Sequence, residues 1–176
     1  MEHVVLLTES GEPVGTAPKS EVHTDRTPLH LAFSCYVLDD DGRLLVSRRA
    51  LSKKTWPGVW TNAFCGHPAS GESLSDAVDR RAREELGTRV RDVRLVLPEF
   101  RYTARDDSGI VENEICPVHL ARLDAPLSPY PGEVMATAWV PAESLATAVS
   151  AAPFAFSPWL ALQLPGVLAA IREGAT

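Results

Sequence analysis

Residues 66–87 read GHPASGESLSDAVDRRAREELG, and their pattern decides how the chain folds. The second part carries helix signals: Ser73 or Ser75 can cap its start, Gly87 stops it, and Leu74, Val78, Ala82 and Leu86 recur once per turn. At about 100° per residue, Glu85 falls between Leu74 and Val78 around that helix, and Arg81 lies beside them. Two charges therefore stand on or next to the face that should pack inward. An unpaired buried charge costs several kcal/mol, so the two either pair at the core edge or bind ligands. The ligands would be a metal for the carboxylate and an anion for the guanidinium. Just upstream, Cys65, His67 and Glu72 set a thiol, an imidazole and a carboxylate around Gly66 and Gly71.

Working outward, the 176 residues (1–176) suit one domain with a substantial core. Apolar residues make up 45% and charged residues 23%, the ordinary balance of a globular protein. No apolar run reaches the ~20 residues of a membrane span, so no membrane partner is expected. The opening MEHVVLLTESGEPVG has an acid and a histidine where a signal peptide carries lysines or arginines, so a cytoplasmic location is expected. A net charge of −6 argues against general nucleic-acid binding. Cys35, Cys65 and Cys116 are odd in number, widely spaced and without a CxxC pair, which argues against a disulfide framework or a cysteine-rich zinc module. RRALSKK, residues 48–54, is a local exception to the acidity. It is either a solvated loop or an anion pocket.

Turn and periodicity signals predict a hairpin over HVVLLTESGEPVGTA and a second over LHLAFSCYVLDDDGRLLVSRR, turning at Asp40-Asp41-Gly42. After the helix, VRLVLPEFRYTA reads as strand, RDDSG as loop, IVENEICPVHLARL as strand, EVMATAWVP as strand and ESLATAVSA as helix. SPWLALQL begins a further helix with Ser157 as N-cap and Pro158 in its first turn; Pro165 is expected to break it before GVLAAIREG resumes. Strands interleaved with a few helices indicate an α/β (α+β layered) domain, a mixed sheet covered by helices.

In VENEIC, residues 111–116, Glu112 and Glu114 share a strand face about 6–7 Å apart at Cα. Carboxylates that close repel unless a cation lies between them or one holds a proton. Cys116, Val118 and Leu120 continue that face, which favours an inward pair over an exposed one. If residues 64–67 are extended, Cys65 and His67 share a face too, and His23 and His30 lie upstream. Three histidines and two glutamates would suit a six-coordinate Mn²⁺, Mg²⁺ or Zn²⁺ better than a closed tetrahedral zinc. Any one of these histidines is more often structural or exposed than a ligand, and spacing does not bring them together.

Gly66-x5-Glu72-x7-Arg80-x3-Glu84-Glu85-x-Gly87 resembles the Nudix box, a loop and helix that present glutamates to Mg²⁺ on a diphosphate. The usual box has a glutamate where this chain has Arg81, which counts against ordinary Nudix hydrolysis. LHLAFS, RRALSKKTWPGVWTN, CGHP, FRYTARDDSGIVENEICPV and PFAFSPW narrow the resemblance to type 1 isopentenyl diphosphate isomerase, from about residue 3 to residue 164.

That resemblance implies a Nudix-type mixed β-sheet sandwiched between helices. It implies that His23, His30, His67, Glu112 and Glu114 bind one divalent metal, and that Cys65 and Glu114 are the catalytic acid/base pair. Glu85, with the main-chain carbonyl of Cys65, would hold a second metal, Mg²⁺, arriving with substrate. Arg49, Lys53 and Arg81, with Lys19, match diphosphate-binding positions; Tyr102 and Trp159 match active-site aromatics. His3 and His119 match no ligand position, Cys35 and Cys116 read as core thiols, and Glu72 stands as a candidate helix cap.

The implied reaction converts isopentenyl diphosphate to dimethylallyl diphosphate by adding one proton and removing another, through a tertiary carbocation that water must not reach. The implied partner is a small prenyl diphosphate, and the protein a monomer or weak dimer. Two readings compete. A Nudix pyrophosphohydrolase shares fold and Mg²⁺ but needs no thiol. An inactive protein that binds a metal or a prenyl diphosphate is opposed by the intact matched positions.

Overall fold

The computed structural model describes residues 2–174. β1 (His3–Leu7) and β2 (Pro13–Pro18) form the expected first hairpin, turning through Gly11 at φ 85°. A one-turn helix, α1 (Lys19–Val22), leads through His23 to β3 (His30–Leu31) and β4 (Phe33–Val37). β5 (Arg43–Arg49), β6 (Trp60–Thr61) and β7 (Phe64–Gly66) precede α2 (Leu74–Leu86). β8 (Val90–Leu97), β9 (Arg101–Arg105), β10 (Val111–Ile115), β11 (Val118–Leu123) and β12 (Val134–Pro141) follow, then α3 (Ala142–Ala151) and α4 (Pro158–Glu173).

The strands order as β2-β1-β3-β10-β9, β7-β4-β11-β8 and β12-β5-β6. β3 runs parallel to β10 and β4 parallel to β11, while their other neighbours are antiparallel, so the sheets are mixed. Alternation along β4 and β5 supplies two cores. Phe33, Cys35, Val37 and Leu45 pack with Val78, Ala82 and Leu86 of α2. Tyr36, Leu44 and Val46 pack with Leu145 of α3 and with Leu160 and Leu164 of α4. Helices therefore cover both faces, as the sequence implies.

Four local expectations change. The Asp40-Asp41-Gly42 turn is present, but β4 and β5 meet only at the Leu38–Leu44 bridge. Each already has a strand on both edges, β7 and β11 for one, β12 and β6 for the other, so neither has backbone groups left for a hairpin. Residues 93–104 split into β8 and β9 around Pro98, and residues 110–123 split into β10 and β11 around Pro117; proline cannot donate to a ladder. Val118 and Leu120 consequently pack in the α3/α4 core rather than extending the Glu112–Glu114 face. Pro165 lies inside a continuous α4 instead of breaking it. Its missing N–H removes one helical bond, while Leu164, Val167 and Leu168 bury in the core and keep the helix seated.

α2 forms as expected. Ser73 caps it by accepting from Asp76 N, and Gly87 ends it at φ 63°, its N–H on Arg83 O. A side chain at Gly87 would stand 2.1 Å from Ser128 O.

Candidate active site

A cavity of about 430 Å³ opens between β7, β10, α2 and the 49–55 loop. His23, His67, Glu112 and Glu114 line one part; Lys19, Lys53, Arg81, Glu85 and Glu133 line another. Arg49, Cys65, Tyr102 and Trp159 also face it, whereas His30 is fully buried behind.

The β3–β10 pairing sets His30 opposite Glu114, and the β9–β10 pairing sets Tyr102 on its other side. Ligand atoms of His23, His30, His67 and Glu114 all lie within 4.8 Å of one another. Glu112 stands outside that group of four, with Oε2 3.1 Å from His23 Nε2. Thr55 donates to its other oxygen at 3.0 Å.

These residues fit a divalent cation. The carbonyl of Pro28 can only accept, so His30 Nδ1, 2.9 Å away, carries the hydrogen and Nε2 a lone pair. His23 Nδ1 faces Lys19 O in the same way at 3.4 Å. The Nε2 atoms of both, with Glu112 Oε2, are buried without a hydrogen-bond partner. Lone pairs and carboxylate oxygens facing one another call for a cation between them.

Glu114 Oε1 lies 3.3 Å from His67 Nε2 and 3.5 Å from His30 Nε2. Burial works to raise the Glu114 carboxyl, but the two imidazoles overcome it and hold it well below the usual range. Burial lowers His67, and Glu114 does not fully offset it; burial also works to lower His30, but Glu114, the Pro28 carbonyl and Glu112 together leave it raised. Burial pushes the Cys65 thiol up to about 11, against a smaller pull from the Ser34 hydroxyl. Cys65 Sγ is 3.3 Å from Asn62 Oδ1 and 3.4 Å from Ser34 Oγ.

The cations are already partnered. Arg81 meets Glu84 at 2.8 Å, Glu85 more closely still, and Glu133 at 3.5 Å. Arg81 and Glu85 are thus paired at the core edge, and both also line the cavity. Lys53 pairs with Glu133, and Lys19 with Glu2 at 3.0 Å. Burial brings the Lys53 amine down to about 8; Glu85 opposes that drop, while Arg49, Arg81 and Lys19 reinforce it. Arg49 donates to the carbonyls of Thr55 at 2.8 Å and Trp56 at 3.1 Å, and lies 5.3 Å over the Trp159 ring. It braces the 49–56 loop as well as facing the cavity. Tyr102 and Trp159 lie 6.0 Å apart.

Glu72 does not cap α2. Its carboxylate receives Arg80 Nε at 2.8 Å and Ala69 N at 2.8 Å, and Arg80 also donates to His67 O at 3.1 Å. This brace holds the loop that carries His67. Gly66 lets α2 approach, because a Cβ there would meet Arg81 Cγ at 2.6 Å. His119 is buried edge-on to Phe33, and Cys35 and Cys116 are buried free thiols. Sequence reasoning missed Thr55, Asn62 and Glu133. The first two are neutral and carry no charge signal; Glu133 stands alone in PYPGEV with no periodic partner.

Among the described residues no helix is long and apolar enough to cross a membrane. The sequence pattern of the NUDIX domain matches residues 28–160. The Isopentenyl-diphosphate Delta-isomerase of Agromyces mediolanus is 65% identical over 162 residues, 92% of this chain and 79% of that protein. That of Kocuria rhizophila is 59% identical over 163 residues, 93% of this chain and 91% of that protein. A crystal structure from Deinococcus radiodurans matches at TM-score 0.67 and 22% identity, covering 85% of this chain and 90% of that one. The MutT NUDIX hydrolase from Burkholderia pseudomallei matches at TM-score 0.54 and 23% identity, covering 65% of this chain and 84% of that one. These two likenesses speak to fold alone. The chain carries a NUDIX domain and belongs to the isopentenyl-diphosphate Delta-isomerase family.

Proposed function

We propose that this chain, as one catalytic unit, interconverts isopentenyl and dimethylallyl diphosphate, with Cys65 and Glu114 as the two proton-transfer groups. The observation that carries the reading is a single cavity lined by the Cys65 thiol, the Glu114 carboxylate and a cluster of cations, in which burial favours the protonated thiol and two imidazoles favour the ionised carboxylate. One donor and one acceptor at rest are what a double-bond shift needs.

His23, His30, His67, Glu112 and Glu114 would hold a divalent ion (Mn²⁺, Mg²⁺ or Zn²⁺), which supplies positive charge that keeps Glu114 ionised and its free oxygen oriented. Glu85, which lines the same cavity as Cys65, would with the Cys65 main-chain carbonyl hold an Mg²⁺ that arrives with the diphosphate. Lys19, Lys53 and Arg81 balance the diphosphate charge, which the net charge of −6 would otherwise repel. Arg49 orders the loop between them. Tyr102 and Trp159 exclude water from the hydrocarbon end. An indole face on a desolvated cation is worth up to about 2 kcal/mol, roughly thirtyfold in rate. Exclusion of water and preorganised charge carry the larger share. Dependence on a free Cys65 thiol suits a reducing compartment, the cytoplasm, and nothing in the reaction asks for more than a monomer or weak dimer.

The test is proton NMR of metal-loaded protein with isopentenyl diphosphate and Mg²⁺ in D₂O. Deuterated dimethylallyl diphosphate without released phosphate is expected. Released phosphate would make the protein a pyrophosphohydrolase, and binding without turnover would make it a binding protein.

A further inference from the structure

We infer that Asn62 is a positioning residue for this isomerisation: its amide oxygen holds both the Cys65 thiol and the Trp159 indole in place. The inference rests on Cys65 being a proton-transfer group.

Asn62 is fully buried on the turn between β6 and β7. Its Nδ2 donates to Cys35 O at 2.9 Å and to Phe64 O at 2.7 Å. Both partners only accept, so the amide has one workable orientation; the flipped form would set its oxygen against two carbonyls. With the nitrogen committed, Oδ1 faces the cavity side. It receives Trp159 Nε1 at 3.0 Å, Cys65 Sγ at 3.3 Å and Thr61 Oγ1 at 2.9 Å. The indole N–H can only donate, which confirms the assignment independently.

Cys65 sits on β7 and Trp159 in the first turn of α4, elements that share no strand pairing. One amide, tied to the backbone of β4 and β7, sets the distance and direction between them. A purely structural amide would need only its two carbonyl partners. This one also accepts from two groups that face the substrate cavity. Ser34, held by Gln163 Nε2 at 3.0 Å, supports the sulfur from a second side. The reacting carbon must lie within reach of the sulfur and under the indole face at once, and a misplacement of about 1 Å can cost a hundredfold in rate.

Asn62→Ala and Asn62→Asp, assayed as metal-loaded enzymes, test this. A carboxyl at this buried site between two carbonyls keeps its proton, so Asn62→Asp retains an oxygen for both donors. Asn62→Ala should lose about a hundredfold in kcat while KM stays within about threefold, because the cation cluster is untouched. Asn62→Asp should recover to within about tenfold of the parent. Proton–nitrogen NMR of the parent, with the Trp159 signal assigned through Trp159→Phe, should show an indole N–H protected from solvent exchange; in Asn62→Ala that protection should vanish.

The inference is overturned by an Asn62→Ala kcat near the parent's, by KM rising in step with the kcat loss, or by Asn62→Asp no faster than Asn62→Ala. Free exchange of the Trp159 indole proton in the parent overturns it too, and that measurement stands if Asn62→Ala does not fold. Cys65→Ala separates the two readings. If it retains turnover, the role of Cys65 fails; if it is inactive while Asn62→Ala turns over near the parent rate, only the role of Asn62 fails.

Discussion

Cys65 and Glu114 are both carried in a buried site, yet their protons sit in opposite states. On the thiol burial outweighs the opposing pull of its hydrogen-bond partners and keeps the proton at neutral pH, while two imidazoles reverse the effect of burial on the carboxyl. Removing either group should remove the chemistry. Cys65→Ala and Glu114→Gln are each expected to lose about a thousandfold or more in kcat, with circular dichroism unchanged. Lys53 gives the pH dependence. Its amine, brought down to about 8, loses charge as pH rises through that value, so kcat/KM should fall above pH about 8. Lys53→Gln should lower kcat/KM and abolish that limb. For stability the sign is opposite. The unfolded amine titrates near 10.5, so between about 8 and 10.5 the unfolded chain binds more protons and Lys53's contribution improves with pH. Spacing alone singled out Glu112 with Glu114, Cys65 with His67 and Arg81 with Glu85, while the full set of candidate ligands and diphosphate-binding residues came from the family resemblance. Asn62 was not legible, since a neutral amide in TWPGVWTN has the same composition whether it braces a thiol or caps a turn.

Among the elements, α2 was legible almost residue for residue, because its cap, stripe and stop all act locally. Gly87 is its strictest point. Gly87→Ala places a side chain at φ 63° and against Ser128 O, so a loss of about 2 kcal/mol or more is expected in urea unfolding. The kcat of the folded fraction should hold. The strands and the last helix were read less well, and Pro98, Pro117 and Pro165 explain most of it. Two prolines ended strands that the apolar pattern joined, while the third failed to end a helix whose neighbours bury in the core. The second hairpin was misread for another reason. Its turn is local, but whether β4 and β5 pair depends on β11, β7, β12 and β6, which lie elsewhere in the chain.

At the scale of the whole molecule, the candidate ligands come from the segment after α1, from β3, from the end of β7 and from β10, joined by the parallel β3–β10 pairing. No local pattern encodes that convergence, which is why the sequence supplied the ligand types without their meeting point. Binding that requires this arrangement must stabilise the fold. At a hundred times Kd, Mn²⁺, Mg²⁺ or Zn²⁺ should add about 2.7 kcal/mol, raising Tm by about 5–10 °C in calorimetry. Addition of EDTA should reverse the rise, and His23→Ala should blunt it.

Glu133, shared by Lys53 and Arg81, gives the cation cluster of the cavity a resident counter-anion. If Lys53 and Arg81 hold the diphosphate as proposed, substrate arrival is an exchange of anions rather than the filling of bare positive charge. The affinity that results is a difference between two attractions, and the internal anion stands ready to reclaim its partners when product leaves. Such a pocket trades tightness of grip for speed of release.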